Sequence, residues 1–304
     1  MNTINYMKWR KLFAVLSVVL VLASLVSLAT RGLSLGLDFT GGTQIEVGYA
    51  RDAELAEVRR QLDAAGFENP VVVHFGSPRD VLIKFQGEAR EGMESEVLSA
   101  LSAGGREVTV RRVEFVGPQV GEELRDDGGL AILAALAVVM LYVSIRFQYK
   151  FAIGAVTALL HDVIITVGLF SFFHWDFDLT VLAAVLAVIG YSLNDTIIVY
   201  DRIRENFRLT RIEDPVEIIN ESLTQVLVRT LYTSGTTLLV LLALFFLGGE
   251  LIHNFATALI IGVLVGTFSS IYVAANLILA LRIDRDDLVP AQVVEKPEDV
   301  DGMP

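Results

Sequence analysis

One ionisable side chain stands inside a segment that is otherwise apolar enough to cross a membrane. The stretch AVLAVIGYSLNDTIIVYDRIREN runs from Ala184 to Asn206, and Asp195 lies in its middle beside Asn194. A charged group at the bilayer centre costs at least about 2.5 kcal/mol, so such residues usually mark an ion or substrate pathway. Asp201 lies about 9 Å further along the helix, where a helix-end role suffices. Asp195 is therefore the first candidate for functional chemistry.

A second intramembrane carboxylate is predicted in the preceding apolar segment, where His161 and Asp162 are adjacent. Two interpretations of Asp162 stay open: a member of a proton relay with Asp195, or a structural hydrogen-bonding partner. For His161 the simpler interpretation is an interior histidine that bonds a neighbouring helix.

A hydroxyl-rich face follows in the next apolar segment. Arg229, Thr233 and Thr236 recur with helical spacing, and Thr230, Ser234 and Thr237 repeat the pattern one residue later. Arg229 is either a positive anchor at the membrane edge or a counter-ion to Asp195. With Ser192, Asn194 and Asp201, the hydroxyls of Thr233 and Ser234 are predicted to support a proton-coupling set of Asp195, Arg229 and Asp162.

The composition is that of a membrane protein. Of the 304 residues 53% are hydrophobic, the formal net charge is −12, and there is no cysteine. The charge argues against nucleic-acid binding, and the missing cysteine excludes disulfides and cysteine-ligated metals. Runs of about 18 or more apolar residues indicate membrane helices. Six are predicted: Leu12–Thr30, Leu130–Ile145, Phe151–Phe173, Leu179–Tyr200, Thr230–Leu247 and Phe255–Leu281.

The orientation follows from the basic residues in the short loops. Arg146 and Lys150 bracket one turn, and Arg202 to Arg208 follow the fourth segment, whereas the opposite short loops contain neither Lys nor Arg. Both termini are therefore expected in the cytoplasm. The first apolar run exceeds the 7–15 residues typical of a signal peptide, which favours an uncleaved anchor over a cleaved leader.

Between the first two segments, residues 31–127 alternate between strand and helix patterns. Strands are predicted at Thr43–Val47, Val71–Phe75, Val81–Phe85 and Val108–Val116, with helices at Asp52–Ala65 and Gly92–Leu101. This β-α-β-β-α-β order is typical of a ferredoxin-like domain.

The predicted fold is thus an α-helical polytopic membrane protein of six transmembrane helices with one small external α+β ferredoxin-like domain. The predicted divisions are 1–30 (N-terminus and first helix), 31–127 (external domain), 128–283 (five-helix bundle) and 284–304 (acidic, disordered cytoplasmic tail). In the last span, Gly262 and Gly266 form a GxxxG pair that favours close helix packing.

Four stretches carry a resemblance to a known family. They are LGLDFTGGTQIEV (Leu35–Val47), VEFVGPQVGEEL (Val113–Leu124), IGYSLNDTIIVYDRIREN (Ile189–Asn206) and GVLVGTFSSIYVA (Gly262–Ala274). In this order they resemble the signatures of the SecF branch of the SecD/SecF family, part of the RND superfamily. The resemblance implies that the six transmembrane helices are half of an RND-type bundle. The fourth-span stretch is the most specific of them.

The resemblance implies a subunit of protein export in the cytoplasmic (inner) membrane of a bacterium, and not an enzyme. Its implied partners are SecD, YajC and the SecYEG translocon, with SecA acting earlier on the same preprotein. The proton-motive force is expected to drive late translocation steps. By motif, the family's fourth-span Asp falls on Asp195 and its fifth-span Arg on Arg229. No cofactor is implied; H⁺ is the expected coupling ion and Na⁺ the alternative.

Three other functions are alternatives to this one. An intramembrane aspartyl protease would need a GxGD motif, and the residues before Asp195 are Tyr-Ser-Leu-Asn. A lipid or drug exporter of the RND type would carry a much larger external domain. A purely structural subunit that stabilises SecD and the translocon predicts that the Asp195 charge is dispensable, and this alternative stays open.

Overall fold

The computed structural model of the chain describes residues 3–68, 70–85, 92–103, 105, 107–209, 212 and 214–283. The predicted acidic tail, 284–304, lies outside the described residues. The helices are α1 (Arg10–Arg31), α2 (Leu37–Thr40), α3 (Leu55–Ala64), α4 (Met93–Ser102), α5 (Pro118–Arg146), α6 (Tyr149–Phe173), α7 (Leu179–Leu209), α8 (Pro215–Leu247), α9 (Glu250–Ser269) and α10 (Ala275–Ala280). The strands are β1 (Ser34–Leu35), β2 (Gly42–Tyr49), β3 (Val71–Phe75), β4 (Ser77–Phe85), β5 (Val108–Val116) and β6 (Asp176–Phe177).

Six helical segments of the described chain are long and apolar enough to cross a membrane, which confirms the predicted fold class. They are α1, α5, α6, α7, α8 and the pair α9–α10. Two of these helices begin well before the predicted apolar segments. The helix of the second span begins at Pro118, inside the predicted external domain, and that of the fifth begins at Pro215 rather than Thr230. Hydropathy detects only the part of a helix that lies in lipid, whereas both helices continue beyond it.

The external domain is built on a four-stranded antiparallel sheet. Its strand order is β3-β4-β2-β5, which is the arrangement that the split βαβ pattern predicts. Apolar side chains of β2 and β4, including Ile45 and Ile83, pack against Val58 and Leu62 of α3 and Val97 of α4, and all five are fully buried. The alternation of the strands therefore supplies one face of this small core.

A second, very short sheet joins the external domain to the membrane bundle, and the sequence analysis did not predict it. Strand β1, directly after α1, pairs in parallel with β6 in the loop between α6 and α7.

Two glycines make the turn between α2 and β2 close-packed. A Cβ on Gly41 (φ 66°) would lie 2.6 Å from Pro118 Cα, and one on Gly42 (φ 131°) would lie 2.3 Å from Phe85 O.

The last membrane segment is not one uniform α-helix. A π-helical turn, Ser270–Ala274, separates α9 from α10. Such turns disturb the regular hydrogen-bond ladder and occur frequently at functional sites. Earlier in α9, a Cβ on Gly262 would lie 2.0 Å from Val188 Cγ2 of α7. The GxxxG glycine thus has the packing role that its pattern predicts.

Candidate functional site

Asp162 lies where three membrane helices meet. It is in the middle of α6 and fully buried. Its Oδ2 atom accepts hydrogen bonds from Ser192 Oγ on α7 at 2.5 Å and from Ser269 Oγ at the end of α9 at 2.7 Å. The His161 Nδ1 atom lies 2.8 Å from Oδ1 of the same carboxylate. One carboxylate therefore links α6, α7 and α9.

The Asp162 contacts can hold a negative charge inside the bundle. Hydrogen bonds to an ionised carboxylate are roughly twice as strong as bonds between neutral groups. Within the described part of the chain, His161 is the only ion-pair partner of Asp162. The expectation that His161 bonds a neighbouring helix is thus wrong, because its polar partner is the next residue of its own helix.

Asp195, the principal candidate from the sequence, has different surroundings from Asp162. Its side chain is buried on α7, and neither carboxylate oxygen has a hydrogen-bond partner among the residues that the structure describes. The Ser234 hydroxyl of α8 lies near this carboxylate, but it bonds Thr267 Oγ1 at 2.8 Å. A buried carboxylate without a partner is costly, so this group is suited to gain a proton or a counter-charge during function.

Arg229 does not supply that counter-charge in this structure. Its side chain is exposed, and it forms no ion pair with Asp195 within the described residues. Arg229 precedes Ser234 by five residues, which turns it about 140° around the axis of α8. The expected Asp195–Arg229 pair is therefore not formed inside this chain, because the two residues of α8 face different sides.

The supporting residues divide into two groups. Ser192 contacts Asp162, and Ser234 lies beside Asp195. Asn194 is exposed, and the Thr233 hydroxyl bonds the Arg229 and Thr230 carbonyls of its own helix. Asp201 pairs with Arg146 at 3.3 Å and with Arg204 at 3.6 Å. It is thus a paired group near the helix end, outside the buried site.

The N-terminal end of α7 is attached to the part of the external domain that lies next to the membrane helices. Asp38 Oδ2 accepts a hydrogen bond from the Leu179 backbone N–H at 3.0 Å, at the first residue of α7. Lys84 of β4 forms an ion pair with Asp176 of β6, and Ser34 Oγ donates to the same carboxylate at 3.1 Å. The helix that carries Asp195 is therefore anchored to the external sheet. No pattern in the sequence indicates these contacts, because they join residues more than 90 positions apart.

The geometry just described can be compared with known proteins. A family model described as protein export membrane protein SecD/SecF, C-terminal, matches residues 96–284, and a SecD/SecF GG motif matches residues 26–53. A relative from Vibrio alginolyticus, called protein translocase subunit SecF, is 51% identical over 100% of this chain and 98% of its own length. The chain belongs to the SecD/SecF family.

Another SecD/SecF family member, also called protein translocase subunit SecF, comes from Pseudomonas aeruginosa. It is 50% identical over 98% of both chains. A crystal structure of SecDF from Thermus thermophilus, a translocon-associated membrane protein, has a TM-score of 0.84 and 37% identity. The match covers 92% of this chain but only 38% of that longer one. This chain is thus similar along its whole length to the SecF relatives, and to one part of SecDF.

Proposed function

We propose that this chain is the SecF-type subunit of the Sec protein translocase, which works with SecD to drive late steps of preprotein translocation by means of the proton-motive force. Membership of the SecD/SecF family and the SecF relatives support the export role. The buried, unpartnered carboxylate of Asp195 supports the coupling to an ion. We further propose the bacterial inner membrane as its location, with both termini in the cytoplasm and with YajC, SecYEG and SecA as further partners.

The coupling cycle rests on the difference between a charged and a neutral Asp195. While the group is ionised, burial without a partner is unfavourable, and a rearrangement that brings a cation or water to it is favoured. A proton removes the charge, and the buried position then becomes acceptable. Alternation between these states moves α7, whose outer end is attached to the external domain through Asp38 and Leu179. Arg229 belongs to this cycle as a cation that reaches the carboxylate only in another arrangement of the helices.

The test is precursor export in cells depleted of the native protein and rescued with Asp195→Asn. Asn keeps the shape and removes the charge, so we expect accumulation of unprocessed precursor at normal protein level and normal co-purification with SecD. Glu205→Gln is the matched control. It removes one carboxylate from the same helix, at an exposed ion pair with Arg202, and exposed pairs contribute little. Normal export with Asp195→Asn would reject ion coupling through this residue and leave the structural-subunit alternative.

The coupling ion is tested separately in membrane vesicles. We expect a protonophore to abolish the export difference between wild-type and depleted vesicles, and replacement of Na⁺ by choline to leave it unchanged. The opposite result would identify Na⁺ as the driving ion, because a carboxylate with hydroxyl neighbours can bind either.

A further inference from the structure

A groove of about 420 Å³ lies between α1, α6 and the last membrane segment. Its lining is mainly apolar, and it includes Ser17, His161, Ile164, Tyr272 and Leu277. The side chain of Tyr272 belongs to the π-helical turn. The groove therefore lies beside an irregular part of the helix bundle.

Helices α1 and α6 meet along a line of small side chains at a constant sequence separation. Ser27 and Ser171 share a hydrogen bond of 3.0 Å across 144 positions. At the same separation, a Cβ on Gly168 would lie 2.2 Å from Ser24 Cβ. Seven residues earlier on both helices, at the same separation, Ser17 and His161 both line the groove. At Ser24 and Ser27 the two helices are in direct contact, whereas the groove begins at the lower end of this line, near Ser17.

Two buried polar atoms remain unpaired at that lower end. Ser17 Oγ and His161 Nε2 have no hydrogen-bond partner among the described residues, and both side chains are more than nine-tenths buried. Both residues line the groove. A hydroxyl and an imidazole nitrogen can each form a hydrogen bond with water. These atoms mark the point at which a polar ligand would meet the bundle.

The hydrogen bond of His161 determines what its free nitrogen can do. An ionised Asp162 has no hydrogen to donate, so Nδ1 must be the donor in the 2.8 Å contact. The neutral imidazole then carries a lone pair on Nε2. That nitrogen is a base, and the carboxylate behind it stabilises the positive charge that proton uptake creates.

We propose that His161 and Asp162 form a second protonation site, which a water-borne proton reaches through the groove between α1, α6 and the last membrane segment. This site rests on the proposed function, since it adds an acceptor to the same coupling cycle. Nε2 takes a proton from a hydronium ion in the groove, which becomes water, and the ring becomes an imidazolium. Nδ1 then gives its proton to Asp162 Oδ1, which leaves a neutral Nε2–H histidine and a neutral carboxyl group.

Proton uptake at this site changes the contacts between helices. Ser192 and Ser269 donate to the Asp162 carboxylate from α7 and α9, and these bonds weaken when the carboxyl group becomes neutral. The other polar side chains that line the groove are uncharged: Ser17 on α1, Thr157 on α6, and Tyr272 and Asn276 on the last segment. The charge at His161 and Asp162 therefore determines how firmly α6 holds its neighbours.

Access of water to the groove is tested by cysteine labelling, because the native chain has no cysteine. In the complex with SecD, Ser17→Cys should react with a small water-soluble thiol reagent. Leu133→Cys is the matched control: it lies on α5, 66% exposed, at about the depth of His161 counted from the shared turn, and should stay unlabelled. Equal absence of labelling at both positions would show that lipid closes the groove and would overturn the path.

The protonation of His161 is tested by nitrogen NMR of the ¹⁵N-histidine-labelled full chain with SecD in lipid nanodiscs. The His161→Asn variant identifies the signal, and its amide keeps a donor near Asp162. We expect the Nδ1–H tautomer at high pH and the Nε2–H tautomer as the pH falls, because the Nδ1 proton then lies on Asp162; the Asp162→Asn variant, which has no carboxylate to accept that proton, should not show this change of tautomer. A ring that keeps Nε2–H at every pH would overturn the proposal.

These two tests do not depend on export, so their failure is distinct from failure of the proposed function. The His161→Asn variant should also lose export at normal protein level. If Asp195→Asn blocks export while His161→Asn exports normally, the chain couples ions without this second site.

Discussion

At the scale of single residues, the two intramembrane aspartates differ in their partners and not in their burial. Both are at most 1% exposed. Asp162 has donors from three residues, whereas Asp195 has none among the described part of the chain. The Asp162 carboxylate is therefore a fixed part of the helix packing, whereas the Asp195 carboxylate remains able to gain a proton or a counter-charge.

Removal of one hydrogen-bond donor to Asp162 should lower the free energy of unfolding. Ser269→Ala deletes a hydrogen bond to a charged group, and we expect a loss of about 2 kcal/mol in the free energy of unfolding in detergent. The adjacent Ser270 bonds only the neutral Thr267 carbonyl, at 2.9 Å, so Ser270→Ala should cost about 0.6 kcal/mol. Equal losses in the two variants would show that Asp162 is not held as an anion by its serines.

Much of this site can be predicted from the sequence, but not how its parts pair. Asp162 and Asp195 stand out because acidic residues are expensive in an apolar run. Ser192 lies one turn from Asp195 on the same helix, yet it donates to Asp162. Ser269 gave no signal beyond that of a small residue. Both outcomes depend on the rotation of helices against each other, which a single sequence does not contain.

At the scale of elements, α7 and α9 are the most extensively packed pair of membrane helices in the described chain. Glycine residues make their close approach possible. A Cβ on Gly262 would meet Val188, and one on Gly266 would lie 3.2 Å from Ser192 Cβ. Close approach of α9 thus also positions the serine that bonds Asp162. The GxxxG spacing predicted this packing, although it did not predict its partner helix.

Gly262→Ala should destabilise the bundle, because its methyl group has no room beside Val188. Overpacking of this kind typically costs about 1–3 kcal/mol. Gly235→Ala on α8 is the control, since its Cβ would point into open space and alanine is the better helix former by about 1 kcal/mol. Thermal unfolding followed by circular dichroism should therefore show a lower midpoint for the first variant only. A midpoint that falls equally in both would contradict the packing argument.

At the scale of the whole molecule, the six membrane segments form an inner and an outer group. About half of the most apolar stretch is buried in α6 (56%), α7 (50%) and α9–α10 (44%), against 17% or less in α1, α5 and α8. The outer face of α8 carries Arg229 together with exposed Val228 and Tyr232. A cation is unfavourable against lipid, so this face is expected to be covered by SecD.

The contact with SecD can be tested in a chain that has no native cysteine. Tyr232→Cys should crosslink to a cysteine introduced into the membrane helices of SecD. Val138→Cys on α5, which is 66% exposed, is the control and should give no crosslink to the same positions. Crosslinking at Val138 but not at Tyr232 would place SecD on the opposite side of the bundle.

The small sheet of β1 and β6 also has a consequence for how the protein is made. Ser34 pairs with Asp176, 142 residues later in the chain. At about 5–20 residues per second, a ribosome needs on the order of 10 s to synthesise the intervening segment. The four strands of the external domain are complete by Val116, so the domain can form its own sheet first. Its attachment to the membrane bundle must wait until the third transmembrane segment has been synthesised. A newly made molecule can therefore pass through a stage in which a folded external domain is still tethered only by its two flanking helices.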